Sequence, residues 1–161
     1  MKKIVLILRG LPGSGKSLFL SLLAAYVHIS MDEFWTKDGA EYKFDYTRLR
    51  EGIDWTHKQF IEALEVKDSN LPIVVNNVSY LEEHYAFFRD EALLRGHTVL
   101  IHTVERPIED CIEHGIHGVP ADKVFQMLGA WQHVNGPAQV TELQAKIADL
   151  EKKLYGDPPT V

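Results

Sequence analysis

A glycine-rich stretch near the N-terminus, RGLPGSGKS at Arg9–Ser17, separates two apolar runs. Five apolar residues, Ile4–Leu8, precede it, and the largely apolar run LFLSLLAAYV follows it. A short continuous apolar run is typical of a buried parallel strand, whereas three glycines with a proline continue neither a strand nor a helix. The order of strand, tight loop and helix predicts an α/β protein built on a parallel sheet.

The loop fits the pattern G-x-x-x-x-G-K-[ST] at every fixed position. It consists of Gly10, Leu11, Pro12, Gly13, Ser14, Gly15, Lys16 and Ser17. Glycines allow consecutive main-chain N–H groups to converge on phosphate oxygens, and the following helix adds the positive end of its dipole. Lys16 can reach the β- and γ-phosphates, and the Ser17 hydroxyl can bind Mg²⁺. We therefore expect ATP and Mg²⁺ as cofactors, although the pattern does not distinguish ATP from GTP.

The composition narrows the class of protein. With 161 residues the chain is long enough for one domain with a buried core. Its formal net charge of −6 argues against a protein that coats nucleic acid by charge alone, although a local basic groove is compatible with it. Arg9 interrupts the first apolar run, which argues against a signal peptide or a membrane span. The single cysteine, Cys111, fits a reducing compartment, so we expect a cytoplasmic protein or a phage-encoded one in the host cytoplasm.

Three further predicted strands alternate with helical patterns, which predicts a parallel sheet with helices on both faces. The predicted strands are Val27–Ser30, Leu71–Val75 and His97–Val104. Residues 31–45 lack periodicity and are predicted to form a loop. Ligands of such sheets lie at the carboxyl ends of the strands. This edge is expected to collect Ser30–Glu33, Asn76–Ser79 and Glu105–Arg106 beside the glycine-rich loop.

The C-terminal part of the chain is predicted to be helical. Pro107 opens a short helix, and Pro120 opens a second one that reaches about His133. Residues 136–161 carry a helix with one apolar stripe, followed by a tail that should fray. The stripe either packs on the main domain, residues 1–135, or forms the seam of a homodimer.

Asp32 is the carboxylate best placed to act on a phosphate acceptor, because it directly follows the second predicted strand. Glu33 lies beside it, and two solvated loop acids are the alternative interpretation. Many P-loop proteins carry an aspartate at the end of the third strand, where this chain has Asn76 and Asn77. Neutral amides orient a water or a phosphate oxygen but add no charge, so Mg²⁺ binding should depend on Ser17, Asp32 and the nucleotide phosphates. The candidate acceptor-binding residues here are Asp32, Glu33, Asn76 and Asn77.

Four blocks of sequence, in this order, resemble the polynucleotide-kinase-like P-loop phosphotransferases: MKKIVLILRGLPGSGKS, ISMDEFW, IVVNNVS and IHGVPADKV. This family includes the 5′-kinase domain of bacteriophage polynucleotide kinase, and the resemblance covers about Met1–His133. It implies a P-loop kinase core with a helical lid over about residues 107–124. It also implies that Lys16 and Ser17 bind the triphosphate and Mg²⁺. Asp32 would be the general base for the acceptor hydroxyl.

Three positions depart from the family pattern. Trp35 stands where the family usually has an arginine that binds a phosphate of the acceptor. The third-strand pattern D-x-N of the family is here Asn76-Asn77-Val78. His114 takes the place of an arginine in the lid. An indole can stack on a base, so Trp35 is a candidate for binding the acceptor base; the alternative is a Trp that anchors its loop on the core. Aromatic and basic residues also interleave over Phe34–Arg50, which suits a single-stranded nucleic-acid groove or an ordinary buried cluster. The candidates to replace the lid arginine are His114, His117, Lys123 and Arg106.

These inferences predict a kinase that transfers the γ-phosphoryl group of ATP to a hydroxyl on nucleic acid, with DNA favoured over RNA. The hydroxyl belongs to a 5′ end or to a hydroxymethylated base flipped into the site, such as hydroxymethyluracil in phage DNA. Two alternatives remain open. One is a kinase of nucleosides or other small molecules, which the acidic composition favours. The other is a nucleotide-binding protein without transfer activity, which Asn76 and His114 favour.

Overall fold

Within the part of the chain that the structure describes, four parallel strands form a sheet in the order β2-β3-β1-β4. The structure is a computed structural model that describes residues 2–39, 41–67, 69–115 and 117–132. The strands are β1 Ile4–Arg9, β2 Val27–Ile29, β3 Ile73–Asn76 and β4 Thr98–Thr103. The helices are α1 Lys16–Ser21, α2 Asp32–Thr36, α3 Leu49–Glu65, α4 Glu83–Leu94, α5 Ile108–Glu113 and α6 Ala121–Gly129, and 3₁₀ turns span Lys37–Gly39 and Tyr46–Arg48. This architecture confirms the predicted α/β fold.

Alternate side chains of the two central strands, β1 and β3, are buried on opposite faces of the sheet. Val5 and Ile7 belong to the larger cluster, which α3 and α4 cover. Leu8 belongs to a smaller cluster on the side of α1. Burial on both faces explains why the strands read as continuous apolar runs. In the register of the sheet, Leu8 lies beside Asn76, so β1 and β3 end together at the edge predicted to bind ligands.

The segment predicted to be a loop, residues 31–45, begins instead with the five-residue helix α2. A helix this short covers less than two turns and leaves no periodic pattern in the sequence. The end of β2 starts it: the Ser30 hydroxyl accepts a hydrogen bond from the N–H of Asp32 (3.2 Å), and the Ser30 carbonyl accepts one from that of Glu33 (3.3 Å). The apolar pattern after the glycine-rich stretch predicts a helix from Lys16 to about Ala25, whereas α1 ends at Ser21, about one turn earlier.

Helices α5 and α6 occupy the segment predicted to be the lid and pack against the glycine-rich loop. Leu11 of the loop forms a small buried cluster with Cys111 of α5 and Val124 of α6. The predicted C-terminal helix and its possible homodimer seam, residues 136–161, lie outside the described residues. Among the residues that are described, no helix combines the length and the apolar character needed to cross a membrane.

The fully buried Arg9 connects β1 to the last described residues. Its guanidinium lies over the rings of Tyr85 and Trp131, 4.7 Å from each centroid. It also donates hydrogen bonds to the carbonyls of Ser79 (2.7 Å) and Gln132 (2.8 Å). A buried cation is stable only with such partners, so Arg9 fixes where the chain after α6 returns to the sheet.

Candidate active site

Two glycines determine the shape of the phosphate-binding loop, Gly10–Ser17. Gly13 and Gly15 have φ angles of 76° and 97°, in the left-handed region that favours glycine. At Gly13, a Cβ atom would lie 2.0 Å from the carbonyl oxygen of Cys111 in α5. The loop therefore passes so close to α5 that a larger residue does not fit, and α5 in turn fixes the position of the loop.

Several N–H groups of this loop are available to an anion. Among the described residues, no main-chain carbonyl accepts a hydrogen bond from the N–H groups of Gly13, Gly15, Lys16 and Ser17. The Ser14 hydroxyl is also buried without a hydrogen-bond partner in the described part of the chain. Consecutive free N–H groups at the start of a helix bind phosphate oxygens, so the polyphosphate of ATP fits this loop.

Lys16 lies across the same loop. Its Nζ donates hydrogen bonds to the carbonyls of Gly10 (2.8 Å) and Leu11 (3.0 Å). Burial lowers the pKa of Lys16 to about 8, and the nearby Asp32 carboxylate opposes this shift. The ammonium group thus contacts the loop carbonyls, and the Asp32 carboxylate acts on it electrostatically. Ser17 follows in the first turn of α1 with its residue surface exposed.

Of the four candidates for the lid arginine, Arg106 is the one with a described contact to the loop. Its Nη1 donates to the carbonyl of Gly13 (3.4 Å), and its Nη2 lies 3.6 Å from the position that a Cβ of Gly15 would take. His114, the residue directly after α5, instead bonds through Nδ1 to the carbonyl of Asp110 in that helix (2.8 Å). A cation placed as Arg106 is can stabilise charge on a transferring phosphoryl group.

Two residues far apart in the sequence converge on the carboxylate of Asp32, the first residue of α2. The Tyr42 hydroxyl lies 3.4 Å from Oδ1, and His117 Nε2 lies 3.6 Å from Oδ2. The Tyr42 and His117 rings stack with centroids 4.1 Å apart. Burial, followed by the Asp32 charge, raises the pKa of Tyr42 to about 12, so its hydroxyl stays protonated and donates. The Asp32 side chain is 51% exposed, which leaves room for an acceptor.

A hydrogen-bonded chain joins Glu33 to the end of β3. His28 Nδ1 lies 2.7 Å from Glu33 Oε1, and His28 Nε2 lies 3.3 Å from Asn76 Nδ2. The neighbouring Asn77 has another role, since its Oδ1 accepts a hydrogen bond from the N–H of Met31 (3.0 Å) and holds the turn between β2 and α2. His28 is absent from the set predicted from the sequence. Its one sequence signal is a polar residue within an apolar strand.

Trp35 is buried, which does not fit the hypothesis that its indole stacks on an acceptor base. The residue is 6% exposed, and its ring packs edge-to-face against Phe34 and Phe44, at centroid distances of 4.8 Å and 5.1 Å. A Cβ on Gly52 of α3 would lie 3.4 Å from the indole. The placement matches the packing alternative, because a large aromatic ring gains free energy from burial against the core. We therefore leave Trp35 out of the candidate acceptor site.

The described residues offer few ligands for a cation. They contain no group of three or more His, Cys, Asp and Glu side chains that would hold a metal ion. The oxygen atoms of Ser17 and Asp32 suit Mg²⁺, which prefers hard ligands and retains several waters. The buried Oδ1 of Asn76, which has no partner among the described groups, can accept a hydrogen bond from such a water. The site fits an ion that arrives with the nucleotide phosphates.

Solved kinase structures share this arrangement of sheet, loop and helices. A chain of the Pnkp1/Rnl/Hen1 RNA repair complex superposes with a TM-score of 0.59 and 15% identity, over 80% of this chain and 44% of its own. The APS kinase CysC of Mycobacterium tuberculosis, in complex with AMPPNP and APS, gives a TM-score of 0.55 and 20% identity, over 84% and 86% of the two chains. The fold is that of the P-loop kinases. At these identities the likeness concerns the fold.

Curated relatives are also detected by sequence. NEDD4-binding protein 2 of Homo sapiens, one of them, is 29% identical in an alignment of 138 residues that covers 80% of this chain. No protein-family profile matches the sequence. The chain spans 8% of the human protein and 44% of the RNA repair chain, so the similarity to both is confined to one part of a longer protein.

Proposed function

We propose that this protein is a kinase that transfers the γ-phosphoryl group of ATP to a hydroxyl group on nucleic acid. The proposal depends on the position of Asp32. This carboxylate is close enough to Lys16 of the phosphate-binding loop to affect its pKa, and it is half exposed at the carboxyl edge of the sheet. A base in that position can receive the proton of a hydroxyl that attacks the γ-phosphate.

Each group of the site has a role in this reaction. The loop N–H groups and Lys16 bind the phosphates, and Arg106 stabilises the charge that develops on the phosphoryl oxygens. The acceptor oxygen forms a bond to the γ-phosphorus while the bond from the γ-phosphorus to the bridging oxygen breaks, and ADP leaves. Asp32 takes the hydroxyl proton. When bound through Ser17 and Asp32, Mg²⁺ neutralises phosphate charge.

Two kinds of similarity support nucleic acid as the acceptor. Four sequence blocks resemble the polynucleotide-kinase-like family, and the fold resembles a chain of an RNA repair complex. The stacked rings of Tyr42 and His117 also provide planar surfaces beside Asp32, of the kind on which bases stack.

A small molecule is the second candidate acceptor. The APS kinase with a TM-score of 0.55 was solved with APS and AMPPNP, and it matches 84% of this chain. The formal charge of −6 also favours a small acceptor over a long polyanion.

A transfer assay with ATP labelled at its γ-phosphate separates the two candidates. The acceptors are DNA and RNA oligonucleotides with 5′-hydroxyl ends, duplex DNA containing hydroxymethyluracil, free nucleosides and APS. Label on any nucleic acid supports the proposal and identifies the hydroxyl. Label only on nucleosides or APS supports the second candidate, and no label on any acceptor contradicts both.

The variant Asp32→Asn tests the proposed base. We expect the transfer rate to fall by about 10²–10⁴-fold, because the amide cannot accept the proton. The affinity for ATP, measured by calorimetry without Mg²⁺, should be retained because the loop is unchanged. Asp54→Asn removes an exposed carboxylate that pairs with Arg50 on α3, and this matched control should transfer at the wild-type rate. Equal rates for the two variants would remove Asp32 from the mechanism.

A further inference from the structure

We propose that Glu33, His28 and Asn76 act as a unit that orients the Asn76 carboxamide oxygen to accept a hydrogen bond from an O–H group beside the phosphate-binding loop. This O–H group belongs to a water on Mg²⁺ or to the acceptor hydroxyl. Asn76 contacts the ligand, whereas His28 and Glu33 are positioning residues. The inference rests on the proposed function, because it assigns a partner to a buried atom of the same site.

The chemistry of the three side chains places the hydrogen atoms. The Glu33 carboxylate only accepts, so His28 Nδ1, at 2.7 Å, carries a hydrogen and donates it. His28 Nε2 then accepts a hydrogen from Asn76 Nδ2, at 3.3 Å. Because the amide nitrogen is engaged by His28, the amide oxygen is directed away from the ring.

This oxygen lies next to the predicted phosphate site. Asn76 is the last residue of β3 and pairs with Leu8, two residues before Gly10 opens the loop. Its Oδ1 is buried and has no hydrogen-bond partner among the described residues. A buried acceptor without a partner is unfavourable, and an O–H group of a bound ligand would satisfy it.

An amide alone would not keep this orientation. Its oxygen and nitrogen ends have nearly the same size, so the group can turn over. Without the Glu33 carboxylate, His28 is free to carry its hydrogen on Nε2, which would donate to the Asn76 oxygen. The amide nitrogen would then face the loop. Glu33 therefore selects the amide orientation from two hydrogen bonds away.

The hydrogen bonds between Glu33, His28 and Asn76 also connect α2 to β3. The experiment must therefore separate the orientation of the Asn76 amide from a purely structural role. Three quantities are measured: Mg²⁺·ATP affinity by calorimetry, KM for the acceptor found in the transfer assay, and thermal stability. The variants are Asn76→Ala, His28→Leu, His28→Gln, Glu33→Gln and the double variant His28→Leu with Asn76→Ala. Glu62→Gln, an exposed carboxylate on α3, is the matched control for Glu33→Gln.

We expect Asn76→Ala and His28→Leu each to weaken Mg²⁺·ATP affinity or raise the acceptor KM by about 10–100-fold. The double variant should lose no more than either single one, because both remove the same hydrogen bond to the ligand. His28→Gln should restore most of the loss, since a glutamine amide can donate to Glu33 and accept from Asn76. A change in Mg²⁺·ATP affinity assigns the O–H group to water on the ion, and a change in KM assigns it to the acceptor.

Three results would overturn the proposal: additive losses in the double variant, unchanged affinity and KM in Asn76→Ala, or equal losses in His28→Gln and His28→Leu. Nitrogen NMR provides a readout independent of catalysis. Nδ1 of His28 should carry the hydrogen in the wild type, and both tautomers should be populated in Glu33→Gln; a wild-type hydrogen on Nε2 alone also overturns it. The Mg²⁺·ATP affinity and the His28 tautomer can be measured without an acceptor. A transfer assay that labels no acceptor therefore refutes the proposed function, whereas these two measurements still test the role of Asn76, His28 and Glu33.

Discussion

The phosphate-binding loop and the acceptor side of the same site are built in different ways. The loop is one continuous segment whose shape lies in the main chain: two positive φ angles and a close approach to α5. The acceptor side is assembled from side chains of separate segments, with Asp32 from α2, Tyr42 from the following connection, His117 from between α5 and α6, and Asn76 from β3. The loop therefore tolerates little change, whereas a side chain of the acceptor side can be exchanged without changing the shape of the loop.

The largest effect is expected from Gly13→Ala, which tests whether the loop depends on its main chain. The new methyl group would lie 2.0 Å from a carbonyl oxygen of α5, at a φ angle that disfavours alanine. We expect calorimetry to detect no ATP binding. Gly129→Ala in α6 is the control, since nothing lies within 4 Å of its Cβ position, and it should bind ATP normally. Normal binding by both variants would show that the loop adapts.

The next largest effect is expected from Arg106→Ala, which is compared with His114→Ala. Arg106 contacts the loop, so its loss should lower the transfer rate by roughly 10³-fold, as for other arginines that act on a transferring phosphoryl group. His114 bonds to the preceding helix α5, so its replacement should change the rate by less than about twofold. Steady-state kinetics with saturating ATP measure both. The reverse order would assign the role of the lid arginine to His114.

A smaller effect is expected from pH, through Lys16. Burial lowers the pKa of Lys16 to about 8 in the free protein, and triphosphate favours the charged form. Above about pH 8, binding must be accompanied by proton uptake, so ATP affinity should fall by up to about tenfold per pH unit. Calorimetry in buffers of different ionisation enthalpy measures both quantities, and Lys16→Met should remove the dependence. A wild-type affinity that stays constant from pH 7 to about 9.5 would contradict the lowered pKa.

The same shift has a consequence for stability. The folded pKa of Lys16, about 8, lies below the usual 10.5, so the unfolded chain binds more protons between these values. The free energy of unfolding of the nucleotide-free protein therefore gains a contribution that rises with pH across this window. Denaturant unfolding of wild type and Lys16→Met, compared at the two ends of the window, would measure the difference.

The smallest effect is expected from Tyr42→Phe, which alters the acceptor side alone. The variant removes a hydroxyl 3.4 Å from Asp32 Oδ1 and keeps a ring that can stack on His117. Loss of one hydrogen bond to a charged group should lower kcat by about three- to tenfold and leave ATP affinity unchanged. Tyr42→Leu, which also removes the stacking, should in addition raise the acceptor KM. An altered ATP affinity in Tyr42→Phe would mean that the two sides are not independent.

The fold could be predicted largely from local patterns. Continuous apolar runs identify β1 and β3, because strands buried on both faces are apolar nearly throughout, and all four described strands lie within about two residues of their predicted bounds. Helix α2 was missed because five residues do not show a helical period. Its start depends on hydrogen bonds to Ser30, which residue spacing does not reveal.

The residues of the site were likewise predictable where one segment supplies them and not where contacts between separate segments place them. The loop was predicted in full because a single segment supplies it. Asp32 was predicted from its position after a strand, and its role in transfer stays a prediction. Trp35 was interpreted from its place in a family pattern, whereas its burial depends on contacts with Phe44 and α3. His28 was missed because its partners, Glu33 and Asn76, come from different elements.

The burial of Arg9 has a consequence for product release. Moving the chain after α6 outward would withdraw Trp131 and Gln132 from a guanidinium that has no exposed surface. Arg9 would keep only its contacts with Ser79, Tyr80 and Tyr85, and a buried cation that loses partners is unfavourable. Leu11 of the phosphate-binding loop makes apolar contacts with α5 and α6. Helices α5 and α6 are therefore held in place by both contacts. In the proposed reaction, ADP should leave when the loop and these helices move together.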